Sequence, residues 1–224
     1  ESMSNVPFIM NRAEPKYGGV TLSDLIVHDG LTDAYDKVHM GNCAENTAKV
    51  QGITRQQQDE FAVLSYTRSA QAWKDNKFKD EIIPVVDKNA RTGEETIINE
   101  DEEYKKIKLE KVASLKAVFD RSGNGTVTAA NASTLNDGAC ACVLMSREAA
   151  DKYNVTPLAR IISFADAAMA PIDFTIAPSK AMPKALAMAS RTLGRNISMD
   201  DIDMFEINEA FSVVALANIK LLNL

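Results

Sequence analysis

The chain has 224 residues, of which 46% are hydrophobic and 25% charged, with a formal net charge of -6 at pH 7. A chain of this length can bury a substantial core, and this balance excludes a disordered tail. No apolar run approaches the roughly 20 residues of a spanning helix, so no membrane association is expected. The acidic surplus argues against general nucleic-acid binding, which draws on an excess of Lys and Arg.

Residues 5–38 are rich in Pro, Gly and Asp with short apolar runs, and read as a surface excursion. Thr54 followed by Gln57 makes a capping box, and Ala62, Tyr66, Ala70 and Trp73 recur every third or fourth residue, which predicts a helix with one buried face. Residues 74–124 are dominated by charge, with β-like runs at 82–86 and 96–98, and read as an insertion lying over a core. From Gly125 a run of small residues leads to Asn136-Asp137-Gly138, where the backbone can come close to something else. Ser146 reads as an N-cap.

Beyond it, residues 157–165 read as an apolar strand. Met182, Ala185, Leu186, Ala189 and Leu193 form a helical stripe closed by Gly194, residues 203–208 read as a second strand, and 209–222 as a second helix. Strand, helix, strand, helix predicts a right-handed parallel α/β unit without internal repeat. The chain opens at Glu1 with neither an initiating Met nor a signal sequence and stops at Leu224 inside an apolar helical pattern, so the expectation is that both ends are cut.

Cys43, Cys140 and Cys142 are too few and too irregularly spaced for a disulfide framework, which points to a reducing compartment. The two histidines, His28 and His39, cannot complete a zinc site with them, and His28 carries no functional expectation. Cys140 and Cys142 alternate along an apolar run and are expected to pack. Asn208-Glu209-Ala210-Phe211 stands where a strand is expected to end and a helix to begin, which is where parallel α/β folds place ligands. An Asn there can hold a water or an oxyanion, while the plainer reading is that Asn208 and Glu209 cap the helix. Lys105, Lys106, Lys108, Lys111 and Lys116 form a basic rim in an acidic protein, either a solvated face or a seat for phosphates.

Glu1-Ser2-Met3-Ser4-Asn5-Val6-Pro7, His39-Met40-Gly41-Asn42-Cys43-Ala44-Glu45-Asn46, the stretch 125–138 and Asn208-Glu209-Ala210-Phe211-Ser212 occur in this order in thiolases, and the resemblance runs along essentially the whole chain. Phe164-Ala165-Asp166-Ala167-Ala168 and Pro171-Ile172-Asp173-Phe174 are most similar to the mitochondrial acetoacetyl-CoA thiolase group. The resemblance implies an α/β fold of α/β/α/β/α layers, incomplete here, with an inserted loop domain. Residues 1–133 would hold the loop domain that covers coenzyme A, 134–156 the last part of the first half, and 157–224 the start of the second.

It implies an acyltransferase of fatty acid and ketone body metabolism, catalysing a Claisen condensation of two acetyl-CoA and the reverse thiolysis. The alternatives are a 3-ketoacyl-CoA thiolase of broader chain length and a non-catalytic CoA-binding or interaction protein. In thiolases the nucleophilic Cys precedes the segment that begins here, and the Gly-His-Pro histidine and acid/base Cys follow it, so the chain alone is expected to be inactive. Cys43 does not match the catalytic cysteine, and its pairing with His39 as a nucleophile is rejected. Asn208 would orient an oxyanion water.

By the same resemblance, Tyr66, Lys106, Ile107, Lys108, Lys111 and Ser133 would bind coenzyme A as substrate. His39 and Met40 would line the pantetheine passage, although a satisfied structural histidine is an equal reading of His39. Relatives often carry Arg where this chain has Lys106, and Lys cannot stack on adenine in the same way. Tyr66 with the carbonyls of Ala129, Ala130 and Ala132 matches a potassium site, with no covalent cofactor. Homo-oligomers, tetramers through residues 5–38, and a mitochondrial location, with cytoplasmic as the alternative, complete the expectations.

Overall fold

A short antiparallel pair, β1 (Phe8–Ile9) with β2 (Ser23–Asp24), puts Phe8 opposite Asp24 and is followed by a π-helical turn at Ile26–Gly30. The computed structural model describes residues 2–13 and 17–224, so that Glu1 of the leading motif and residues 14–16 of the early excursion lie outside it. The described part of the excursion runs over the surface as expected, with Phe8, Met10, Tyr17 and Tyr35 exposed.

Helix α1 (Met40–Gln51) buries Gly41, Cys43, Ala44, Thr47 and Ala48, a stripe of small side chains at helical spacing that lets its neighbours come close. It ends at Gly52, whose φ of 64° only a residue without Cβ adopts freely. Helix α2 (Arg55–Lys74) begins at the capping box: Thr54 Oγ1 accepts from the Gln57 N–H at 3.2 Å, and the Thr54 N–H donates to Gln57 Oε1 at 2.8 Å. Ala62 is buried on it and Tyr66, Ala70 and Trp73 are half-buried, the face read from the sequence.

The charged section folds into the hairpin β3 (Val85–Lys88) and β4 (Glu95–Ile98), then the single turn α3 (Glu103–Lys106) and a 3-10 turn at Leu109–Ser114. Helix α4 (Arg147–Tyr153) starts at Ser146, whose hydroxyl accepts from the Ala149 N–H. A 3-10 turn at Pro171–Ile176 leads into α5 (Pro178–Leu193), closed by Gly194 in the left-handed region, and α6 (Ser212–Leu222) is the last helix.

The core gathers Ala44, Ala48, Ile53 and Val127 around Phe211, Val213, Val214 and Ala217. α6 is wedged between α1, α2 and the 171–176 turn. Its fully buried Asn218 is satisfied: Asn218 Nδ2 donates to the carbonyls of Thr175 (2.9 Å) and Val214 (2.8 Å), and its Oδ1 accepts from the Ser179 N–H (2.9 Å).

The expected parallel unit is not paired. Among the described residues the only sheets are the two antiparallel pairs, and neither 157–165 nor 203–208 joins a ladder. A strand takes its stability from backbone bonds to neighbours and from packing on its faces; these segments have no ladder neighbour, although Ile207 of the second packs against the core. Leu158, Ile161, Phe164 and Met204 are accordingly exposed, with only a loose attachment of the first segment to α5 through Ser163 Oγ and the Ala185 carbonyl at 2.8 Å. Cys140 and Cys142 are exposed too, against the expectation that they pack, because their stretch is unpaired as well.

Glu45 joins α1 to the small-residue stretch. Its carboxylate accepts from the N–H groups of Thr126 and Val127, each at 2.9 Å, and from Thr126 Oγ1 at 2.7 Å. Val127 is fully buried, so its amide has no access to water once this bond is broken. Replacing Glu45 by Ala is expected to weaken local protection of these amides by about 2 kcal/mol, or roughly 30-fold faster hydrogen exchange at Thr126 and Val127. Mass-spectrometric exchange on the peptide covering them checks this, and unchanged protection would mean that the carboxylate is dispensable.

Candidate functional site

The small-residue stretch turns at 128–131 because Asn131 folds back on it: its Oδ1 accepts from the Thr128 N–H at 2.8 Å and its Nδ2 donates to the Thr126 carbonyl at 3.0 Å. The turn is then fastened to the entrance of α6. The Ser133 N–H donates to the Ala210 carbonyl at 2.9 Å and the Ser212 N–H to the Asn131 carbonyl at 2.8 Å, an antiparallel bridge centred on Ala132 and Phe211. This bridge keeps the chain extended through Phe211, so α6 starts at Ser212 rather than at 209 as expected.

It also removes the plain capping role of Asn208 and Glu209, since the cap of α6 is Phe211 and no side chain closes it. Glu209 instead accepts from Ser65 Oγ at 2.6 Å, which ties the α6 entrance to the middle of α2. Asn208 is exposed just before it.

Between α2, the turn and the α6 entrance lies a cleft of about 220 Å³, lined by Tyr66 and Ser69 of α2, Tyr104 of α3, Ala130 and Ser133 of the turn, and Glu209. It brings together Tyr66, Ala130, Ala132 and Ser133 of the residues singled out in the sequence, with Ala129 exposed on the same turn. Burial, and then the charges of Glu103 and Asp101, push the Tyr66 phenol up, so it faces the cleft as a neutral hydroxyl. Asn208 does not line this cleft.

His39 and Met40 occupy the start of α1. His39 Nδ1 accepts from the Gly41 N–H at 3.0 Å, so this nitrogen carries no proton and the ring is a helix cap. The imidazole lies 4.8 Å from the Phe119 ring, which in turn meets Phe211 edge-on at 6.5 Å. An aromatic chain thus connects His39 to the bridge at the cleft. Burial holds His39 below the usual imidazole range, and Met40 packs on the core. Cys43 is buried, and burial followed by the Asp33 charge pushes its thiol up, the opposite of what activates a nucleophile.

The basic rim is divided. Lys105 pairs with Glu100 at 2.6 Å, and Lys106 with Glu103 at 2.8 Å and Glu102 at 3.2 Å; these partners hold both ammonium groups above the ordinary lysine range. Lys108, Lys111 and Lys116 make no ion pair among the described residues and are exposed, while Ile107 is half-buried after α3. The unpaired positive charge therefore sits on and beside the 109–114 turn.

Sequence reasoning passed over Tyr104, Phe119, Asp59 and Asn131. Of these only Asp59 carried a local signal, an Arg55 four residues before it on the same helix.

These features define a mixed helix-and-sheet protein with a cleft between α2, the small-residue turn and the N-terminal end of a core helix. Residues 1–148 match the family model described as the thiolase N-terminal domain and residues 155–224 the thiolase C-terminal domain. The chain belongs to the thiolase family. It is 57% identical over 224 residues to the mitochondrial acetyl-CoA acetyltransferases of Bos taurus and Homo sapiens and 58% identical to that of Danio rerio, with all of this chain matched in each case. It spans about half the length of these relatives, 51% in each.

All of the chain also superposes on 55% of the Ascaris suum Acat5 thiolase in complex with coenzyme A, at a TM-score of 0.91 and 44% identity. Against the Bacillus anthracis acetyl-CoA acetyltransferase the TM-score is 0.92 at 36% identity, again over 55% of that chain. The fold is therefore the thiolase α/β architecture, incomplete in this chain, and the unpaired segments follow its path without their ladder neighbours.

Gly41 permits the His39 contact: a Cβ at this position would overlap the Phe119 ring. Gly41→Ala is expected to cost about 1–3 kcal/mol and to push Phe119 off the imidazole. With the ring less buried, the His39 pKa should rise towards its ordinary value. The sign follows from its present depression: as pH falls through the ordinary imidazole range, the unfolded chain takes up a proton first and stability declines. NMR titration of the His39 ring in both proteins checks the shift, and identical titration curves would remove Phe119 as its cause.

Proposed function

We propose that this chain is part of an acetyl-CoA C-acetyltransferase, located in mitochondria, that condenses two acetyl-CoA to acetoacetyl-CoA and runs the reverse thiolysis. The observation that supports this most directly is the 57% identity along the whole chain to mitochondrial enzymes of that name. The cleft adds a chemical reason: a neutral phenol, small residues and backbone groups line it, and α2, which forms one of its walls, also packs against the 109–114 turn beside the unpaired lysines, which suits a ligand with a neutral arm and an anionic end.

In this reading coenzyme A is the substrate. Lys108 and Lys111 hold phosphates, Lys106 contributes when a ligand phosphate competes with Glu102 and Glu103, and Ile107 lies against the nucleotide. Ser133 and Tyr66 meet the pantetheine arm, and His39 and Met40 flank its inner end. Residues 1–133 form the loop domain over the ligand, 134–156 the end of the first thiolase half and 157–224 the beginning of the second.

The condensation needs a cysteine thiolate that takes an acetyl group, expelling one CoA thiolate, and a base that removes an α-proton from the second acetyl-CoA. The resulting carbanion attacks the acyl-cysteine carbonyl and the cysteine leaves. This chain would contribute Asn208, whose amide orients a water towards the thioester oxygen as negative charge develops there.

The Ala129, Ala130 and Ala132 carbonyls accept no hydrogen bond among the described residues, and with the Tyr66 hydroxyl they fit the oxygen donors a potassium ion takes. Bound by these oxygens, the ion would supply positive charge near the turn. The exposed apolar residues of the early excursion, Phe8, Met10, Leu22 and Tyr35, suit contacts between copies in a homotetramer.

Asn208→Ala in the intact enzyme is expected to lower kcat about 10- to 100-fold with little change in KM. Steady-state thiolysis of acetoacetyl-CoA reads this, and an unchanged kcat would take Asn208 out of the reaction. Exchanging potassium for sodium should lower activity, and equal rates in both salts would refute the cation site. Comparable rates on acetoacetyl-CoA and on long-chain 3-ketoacyl-CoA would replace the short-chain reading with a broader thiolase.

A further inference from the structure

Asp59 lies on the first turns of α2 and is nearly buried, and its two carboxylate oxygens are engaged in different directions. Oδ2 accepts from Arg55 Nε at 2.7 Å, and Oδ1 accepts from Asn131 Nδ2 at 3.0 Å. Each partner carries the connection one step further. Arg55 Nη2 donates to the carbonyls of Leu115 at 2.8 Å and Val112 at 3.2 Å, gripping the end of the 109–114 turn on which Lys111 sits and which Lys108 precedes. Asn131 folds the turn that lines the cleft and, through its own carbonyl, receives the N–H of Ser212.

One carboxylate is therefore the joint between the lysine-bearing turn and the cleft turn, although neither touches it through the backbone. A guanidinium held by a carboxylate on one edge has a fixed plane, so its remaining donor meets the carbonyls with little loss of side-chain freedom. Neutral Asn at 59 would keep the shape and lose the charge-assisted grip on Arg55.

We propose that Asp59 is a positioning residue that fixes the distance between the anion-holding turn at 108–114 and the cleft turn at 126–133, so that both ends of one long substrate are gripped at once. This rests on the coenzyme A reading above and names a residue to which that reading gives no part. It predicts that Asp59 matters only for ligands that reach both turns. A coenzyme A thioester does, whereas a pantetheine thioester has the neutral arm and lacks the nucleotide phosphates.

The test compares the intact enzyme with its Asp59→Asn and Arg55→Lys variants, using acetoacetyl-CoA and acetoacetyl-pantetheine as thiolysis substrates. In the wild type kcat/KM should favour the coenzyme A ester. In Asp59→Asn this preference should fall about tenfold, through KM, while kcat on the coenzyme A ester changes less than about threefold.

Arg55→Lys keeps the charge pair but has no second donor branch to reach the Leu115 carbonyl, and should lose preference in the same sense; it decides the matter if the Asn variant does not fold. A folded variant that keeps the wild-type preference overturns the proposal and leaves the coenzyme A reading standing. A wild type that does not distinguish the two esters overturns the phosphate role of the lysine turn, and this proposal with it.

Discussion

Two backbone hydrogen bonds, from Ser133 to the Ala210 carbonyl and from Ser212 to the Asn131 carbonyl, join two stretches of chain about 80 residues apart, and much else follows from where they fall. They hold the residues before Ser212 extended, which delays the start of α6 and sets the rotation at which it presents Val213, Val214 and Ala217 to the core. They also draw the small-residue turn against α2 closely enough to leave a cleft rather than a gap. Ala130 is buried on this turn, so a bulky side chain there would crowd the segments or fill the cleft, a physical reason for small residues in the stretch.

Around this bridge most buried polar groups are matched and exposed ones are left adjustable; the exception among the described residues is the fully buried Gln58, whose side-chain amide has no hydrogen-bond partner. Glu45, Asp59, Asn131 and Asn218 each satisfy several partners at once, while the lysines of the rim remain at the surface. A ligand phosphate approaching Lys106 must compete with carboxylates already there, whereas Lys108 and Lys111 offer unpaired charge. An acidic protein can in this way present a local attraction for an anion without becoming sticky towards polyanions in general.

What could be read from the sequence was local in character or carried by motif order. The Thr54–Gln57 box, the Ser146 cap and the Gly194 stop depend on residues within a few positions of each other, and all three stand in the structure. The thiolase resemblance rested on several short motifs in sequence, and both family models match. The start of α6 was misjudged because it depends on a turn far away in the chain. The strands at 157–165 and 203–208 were legible as apolar runs, but a run does not say whether its ladder partners are at hand. Glu45 to Val127 and Asp59 to Asn131 span 82 and 72 residues, and nothing in the composition of either end announces the other.

The β3–β4 hairpin stands apart from all of this. Each of its eight strand residues is exposed, and its own ladder and the Lys88–Glu95 pair at 3.0 Å supply its cohesion. Because so little of the molecule leans on it, its turn around Asn89 and Gly93 is a practical point for grafting: a tag, a fluorophore or a longer loop installed there would travel with the protein and leave the packing of the core undisturbed.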